Sequence, residues 1–388
     1  MGEEGPDLKM EQRLAFCTLG MFIIDKIEYL DSSKKPHQNI IGGAGTYAAL
    51  GARLAAGIQH AHLVSWIVDM GSDFPPQFRQ LINTWHTNCI FRLDLNRLTT
   101  TAWNGYGENE YRAFKYLTTK LRLDEKDLSD DQALSRSFHM VCSPARCISL
   151  VNGILGRRRE SLRARGTNPD AVDAELWPIF VWEPVPDLCT PEELARLRVA
   201  AECVDVVSPN GDEFAAFFKE MPECDSRETQ VRWLLAGVGS RSGEGKGLLR
   251  TTLVVREGAQ GCTTYSAENL HGLHLPAYHQ SKERVTDPTG GGNTFLGALA
   301  MGLTGITCPD GGVLEDLVVP DDQRRLLLAL THATVAAGYA IEQIGMPTVA
   351  ATDGDCWNGQ SYPERFLDYL QREREHIERQ LSDSAFAP

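Results

Sequence analysis

Between Thr286 and Ala298 the chain reads Thr-Asp-Pro-Thr-Gly-Gly-Gly-Asn-Thr-Phe-Leu-Gly-Ala. Three adjacent glycines, Gly290, Gly291 and Gly292, free the backbone to adopt positive φ and to approach a ligand closely. The residues from Thr294 to Leu303 are small and apolar and predict a buried helix. A glycine turn that runs into a helix start points unpaired N–H groups at one place, and the helix dipole adds partial positive charge there. Such a place suits a phosphate or a developing oxyanion. A tight loop ahead of a well-packed helix would use the same residue types, and a glycine run alone does not separate the two.

Other stretches carry candidate chemistry. Leu14 to Asp25 is an apolar run that ends in an acid. It reads as one buried strand presenting Asp25 at its C-terminal end, where open α/β sheets keep their ligands; a turn-forming aspartate is the plainer alternative. Gly42 and Gly43 precede a small-residue helix that carries Tyr47. Gly43 to Ala48 also fits the Gly-x-Gly-x-x-Gly/Ala dinucleotide pattern, with Asp69 where a ribose-binding acid would sit. The strand before Gly42 is short and is not the first βα turn, so an NAD-dependent oxidoreductase is the weaker reading. Asn210 and Glu213 are spaced as a helix cap. Arg256 ends an apolar run and is followed by Gly258 and Gly261 in a turn; it reaches a phosphate or sits in a salt bridge. His271 and His274 have metal-ligand spacing but no second pair, which favours structural or surface roles. The loop 239–247 is no Walker loop, because Lys246 is followed by glycine.

The elements that must position these residues follow from the hydrophobic pattern. Short apolar runs at 138–142, 179–184 and 204–208 alternate with helical stretches, the rhythm of a parallel sheet with covering helices. Residues 89–119 differ. Phe91 to Leu95 alternates, and two β-rich stretches flank Asn104 to Asn109, which predicts a hairpin lid. Trp103, Tyr106 and Tyr111 are aromatics able to stack on a base or sugar or to pack on a core. Leu326 to Gly345 predicts a second apolar helix, and Pro363 to Arg379 a charged one with a stripe of Phe366, Leu370, Ile377 and Leu381. The expected organisation is a frayed 1–12, a domain over 13–350 with the lid hairpin inserted around 89–119, and a helical tail over 351–388.

A chain of 388 residues with 42% hydrophobic content builds a substantial core. Its net charge of −14 argues against nucleic-acid or anionic-membrane partners. No signal peptide and no spanning run is evident. Ten scattered cysteines without a Cys-x-x-Cys pair suit free thiols in a cytoplasmic protein.

Taken in order, these stretches resemble the signatures of the ribokinase-like (PfkB) sugar and nucleoside kinases. Asp287 to Asn293 resembles the family's Asp-Thr-x-Gly-Ala-Gly-Asp, and Gly42 to Gly51 its Gly-Gly-x-x-x-Asn-x-Ala signature. Gly20 and Asp25 match the opening Gly-x-x-x-x-Asp strand, Asn210 and Glu213 the Asn-x-x-Glu motif, and Arg256 to Gly261 the Thr-x-Gly-x-x-Gly turn. The combination Gly-Gly-Ala-Gly-Thr-Tyr-Ala-Ala, Trp-Asn-x-Tyr-Gly and Gly-Gly-Gly-Asn is similar to the fungal maintenance-of-killer branch of these proteins.

The resemblance implies a three-layer α/β/α sandwich with a mainly parallel central sheet and a small β-strand lid, the lid also serving homodimerisation. It implies ATP and Mg2+ as cofactors and a small sugar or nucleoside-like substrate. Gly290 to Gly292 would form the anion hole, and Asp25, Gly42, Gly43 and Tyr47 the substrate pocket, Tyr47 standing where the family has Asn. Asn210, Glu213, Arg256, Gly258 and Gly261 would flank the nucleotide, with Glu213 holding the metal through water. The catalytic base is the family's last Asp, and here that position is Asn293. A neutral amide takes no hydroxyl proton, and losing a general base costs ~10²–10⁴ in rate. The implied function is a kinase-like protein with impaired phosphoryl transfer, or a pseudokinase that binds ligand and regulates a partner.

Overall fold

Apolar side chains alternate between two faces along the strands of the main sheet, as the two-residue period of a strand requires. Phe16, Val181, Val206 and Val254 belong to one core, while Cys17, Phe180, Trp182, Val207, Leu253 and Val255 belong to another. Both faces are covered by helices, which gives three layers. The computed structural model describes residues 13–29, 35–107, 112–168, 177–236 and 251–384. The expected frayed start at 1–12, Tyr111 and the loop at 239–247 lie outside these residues.

The nine-stranded sheet runs in the order Leu273–Leu275, Cys262–Tyr265, Thr252–Arg256, Val206–Val207, Ile179–Pro184, Ser137–Cys142, Phe16–Thr18, Val64–Met70 and Asn88–Leu93. From Thr252–Arg256 to Asn88–Leu93 every pairing is parallel; Cys262–Tyr265 and Leu273–Leu275 are antiparallel additions at one edge. Helices Ala44–His60, Gly291–Gly302 and Asp321–Ala340 pack on one face, and Pro144–Ala164, Leu194–Ala201 and Arg227–Leu235 on the other. Helices Ala44–His60 and Gly291–Gly302 touch backbone to backbone. A Cβ at Gly51 would strike the Thr294 carbonyl, and one at Gly297 the Ala48 carbonyl.

The lid is a separate four-stranded sheet, His37–Gly42, Ile23–Tyr29, Thr101–Tyr106 and Arg112–Tyr116 in that order. Three sequence expectations change here. The run from Leu14 to Asp25 is not one strand: Phe16–Thr18 lies in the main sheet, and after a break at Gly20 the chain enters the lid. Asp25 is therefore inside a lid strand, not at the end of a sheet strand. Asn88–Leu93 is the edge strand of the main sheet, paired with Val64–Met70, not part of the lid hairpin. Asn104 lies in a strand, not in the turn.

The C-terminal helix Tyr362–Ser384 buries Phe366, Leu370, Ile377 and Leu381 against the body. Ahead of it, the buried Arg53 donates to the Trp85 carbonyl (2.7 Å), to the Gly354 carbonyl (2.6 Å) and to Asp355 (3.2 Å). All ten cysteines are free thiols. Among the described residues no helix is long and apolar enough to cross a membrane.

Candidate functional site

Thr18, Glu183, Ser208 and Arg256 come from the carboxyl ends of neighbouring parallel strands, the end at which open α/β sheets bind ligands. The helix Gly291–Gly302 begins above them. Gly290 caps it in the left-handed region, with φ of 83° and no side-chain cap. The Gly291 amide bonds Pro288 O (3.2 Å) and the Thr294 amide bonds Gly290 O (2.9 Å), which leaves the Gly292 and Asn293 amides at the helix start for a ligand. Asp287 is spent on the turn, where it accepts from the Thr289 amide at 3.0 Å.

Each glycine of the run meets a different side chain. A Cβ at Gly290 would run into the ring of Tyr47, and one at Gly291 would come within 2.9 Å of Ile341. At Gly292 it would collide with a terminal nitrogen of Arg256 and lie 3.9 Å from a Glu183 oxygen. A side chain meets close packing at each position of the run, and at Gly290 the left-handed backbone stands against one as well.

Arg256 and Glu183 form a buried ion pair beneath this turn. Arg256 Nη2 donates to Glu183 Oε1 at 2.6 Å and to the Ser208 carbonyl at 3.0 Å, and it stands 3.6 Å from Glu213 Oε2. The salt bridge that the sequence left open is present. Burial pushes the Glu213 carboxyl above its ordinary range; Arg256 holds it down and Glu183 pushes it up. Among the described residues, Glu183 Oε2, Arg256 Nε and Asn293 Oδ1 are buried atoms without a hydrogen-bond partner. Nearby, His139 meets Thr18 Oγ1 at 2.9 Å through Nδ1. Burial, aided by the charge of Arg256, drives His139 down to about 3, so it is neutral. Glu183 and His139 were not singled out from the sequence. The available signal was a polar side chain inside an otherwise apolar strand.

Asn210 and Glu213 cap their helix reciprocally: Asn210 Oδ1 accepts from the Glu213 amide and Glu213 Oε2 from the Asn210 amide, both at 2.8 Å. Gly258 and Gly261 bracket the turn after Arg256, with φ of 56° and 96°. A Cβ at Gly258 would meet open space, whereas one at Gly261 would strike the Leu275 carbonyl.

Asp25 lies 5% exposed, with its carboxylate against Gly42, and accepts from Asn104 Nδ2 at 3.0 Å. The lid register aligns Asp25 with Ala102, and Ala102 with Tyr116. Burial, opposed by Arg122 and reinforced by Asp25, raises the Tyr116 hydroxyl to about 12. Asp25, Asn104 and Tyr116 therefore share one lid face. Trp103 belongs to the opposite face, where it donates to Glu28 at 2.8 Å, so it does not join Asp25. Gly43, with φ of 92°, caps the helix Ala44–His60 that carries Tyr47. Tyr47 thus links the two regions, sitting one turn past Gly43 with its ring on Gly290.

The dinucleotide pattern does not form a site. Gly43 follows a lid strand rather than a strand of the main sheet, and Asp69 is held by Arg92 at 2.6 and 2.8 Å. His274 is bonded to His376 (3.2 Å) and to the Gln260 carbonyl (2.7 Å). Among the described residues no group of three or more His, Cys, Asp or Glu is arranged to hold a metal. Asn210 and Glu213, the latter assigned by the resemblance to magnesium through water, bond each other's amides, and the Arg256 guanidinium already stands beside Glu213 and Glu183. As arranged, they do not form a direct ligand set for a divalent ion.

Comparison with known proteins agrees with the fold. The chain is 33% identical over 382 residues to protein MAK32 of Saccharomyces cerevisiae, covering 93% of each chain. It is 31% identical over 372 residues to an uncharacterized protein of Schizosaccharomyces pombe, covering 92% of each. No protein-family model matches. Among solved structures, a ribokinase from Giardia lamblia superimposes with a TM-score of 0.62 at 14% identity, over 92% of this chain and 99% of that one. A fructokinase with bound ATP from Xylella fastidiosa gives a TM-score of 0.58 at 15% identity, over 93% and 98%. At these identities the structural likeness concerns the fold.

Proposed function

Because the chain belongs to the fungal MAK32-like branch of the ribokinase-fold, PfkB-type proteins, we propose that it binds ATP and a small hydroxylated substrate and transfers phosphate poorly. The observation that carries this reading is the Gly290–Gly292 turn: free amides at a helix start, joined through Tyr47 to the side of the molecule that holds Asp25. The terminal phosphate would lie against the Gly292 and Asn293 amides. The acceptor, a sugar or nucleoside-like alcohol, would be held by Asp25 and Asn104 under the lid. Asn293 orients the hydroxyl through its unpartnered Oδ1 but does not take its proton. Phosphoryl transfer leans mostly on positioning and charge stabilisation, so slow transfer survives the loss of the base. Magnesium is left out of this reading, because Arg256 already stands beside the carboxylates that would serve it.

A second reading, a pseudokinase that binds nucleotide and regulates a partner, draws on the same residues. Tyr47, Ile341 and Arg256 pack each glycine of the run, and the base is absent. Asn293→Asp separates the two. Phosphate transfer from ATP, measured over a panel of sugars and nucleosides, rises ~10²–10⁴-fold in the variant of an impaired kinase. No transfer by either protein, with ATP still bound in a thermal-shift assay, leaves the pseudokinase.

A further inference from the structure

Arg256 occupies an unusual place for a cation that only neutralises an acid. Its Nη2 serves Glu183 and the Ser208 carbonyl, its Nη1 lies against Gly292, and its Nε has no partner among the described residues. Glu183, a residue 7% exposed, is bonded through one oxygen, its second having no hydrogen-bond partner among the described residues, and Glu213 Oε2 stands 3.6 Å from the same Nη2. A guanidinium held at one point keeps donors in reserve, and here they lie next to the amides of Gly292 and Asn293. Spare donors from a side chain and from a helix start, side by side, fit an oxyanion with several acceptor oxygens. A divalent ion would enter beside the fixed positive charge of Arg256, and Glu183 Oε1 and Glu213 Oε2 are already engaged.

We infer that Arg256 is the resident cation of this site, so that a phosphate-class anion binds at Gly292 and Asn293 without a divalent metal. The inference rests on the proposed nucleotide reading and narrows it. Glu183 acts as a positioning residue: it holds the guanidinium at the turn and competes with the incoming anion for it. Loss of the Glu183 charge then strengthens anion binding, whereas loss of the Arg256 charge weakens it.

The experiment is calorimetric titration of the full chain with inorganic tripolyphosphate and with ATP, in EDTA and in excess magnesium. The expected result is binding in EDTA that magnesium improves by less than about two-fold. Arg256→Gln weakens binding in EDTA by about 10- to 100-fold, the worth of a charge-assisted contact. Glu183→Gln binds as tightly as the parent or more tightly. Binding that requires magnesium overturns the inference while leaving the nucleotide reading in place. So does unchanged binding by Arg256→Gln, or Mn2+ captured by the parent protein without phosphate, read by electron paramagnetic resonance. If neither compound binds with or without metal, the nucleotide reading falls too. The comparison with and without magnesium on the parent protein decides the matter should Arg256→Gln fold poorly.

Discussion

The ring of Tyr47 fills the space that a side chain at residue 290 would need. The first glycine signature thereby fixes what the second can contain. Gly290 also has a φ of 83°, where a Cβ costs about 1–2 kcal/mol. Gly290→Ala is expected to lose that amount plus about 1–3 kcal/mol of overpacking. Urea denaturation of Gly290→Ala, Tyr47→Leu and the double variant tests the relation. The double variant recovers the packing part and keeps the backbone part; strictly additive losses would refute it.

Removing one partner of the buried pair beneath the turn strands the other. Arg256→Met leaves Glu183 and Glu213 with no nearby cation and is expected to cost about 3–5 kcal/mol. Glu183→Gln in the same chain recovers part of that loss. A double-mutant cycle by chemical denaturation measures it, and a coupling near zero would mean that the pair adds nothing.

Two buried histidines make stability depend on pH. Burial drives both His139 and His332 down to about 3, His332 between Tyr362 and the Pro309 carbonyl. The unfolded chain protonates these rings near pH 6.5, and the folded one does not. Their contribution is therefore fully present above about pH 6.5 and is lost progressively as the pH falls toward 3. Each ring contributes a slope approaching ~1.4 kcal/mol per pH unit inside that window. His332→Gln should flatten the stability profile between pH 6 and 4 by about one proton. An unaltered slope would show that the ring is protonated in the fold.

Arg53 ties the segment after residue 350 to the body through Gly354 and Asp355. Asp355→Ala leaves a fully buried guanidinium short of its only carboxylate contact among the described residues. The expected loss is about 1–3 kcal/mol, with faster proteolysis of the C-terminal helix. Unchanged denaturation and digestion would place the anchor elsewhere, in the apolar stripe of that helix.

How far the sequence disclosed this arrangement depends on the residue. The glycine run, the cap at Asn210 and Glu213 and a parallel sheet with covering helices follow from local pattern, and the three-layer sandwich from the family resemblance. A strand that leaves one sheet and a strand that enters another look alike when both are apolar, which is why the pattern puts Asp25 at a strand end. Alternation reports one buried face but not which sheet owns it, so Asn88–Leu93 read as part of the lid. Glu183 and His139 were hidden for the opposite reason. Each is a single polar residue in an apolar run, and only the register of neighbouring strands brings it beside Arg256 or Thr18.

The backbone contact at Gly51 and Gly297 has a consequence for engineering. The two glycine signatures ride on one inflexible piece, and neither can be swapped for a relative's version without importing the partner helix as well. Chimeras that exchange 42–60 and 290–302 together should outperform those that exchange either segment alone.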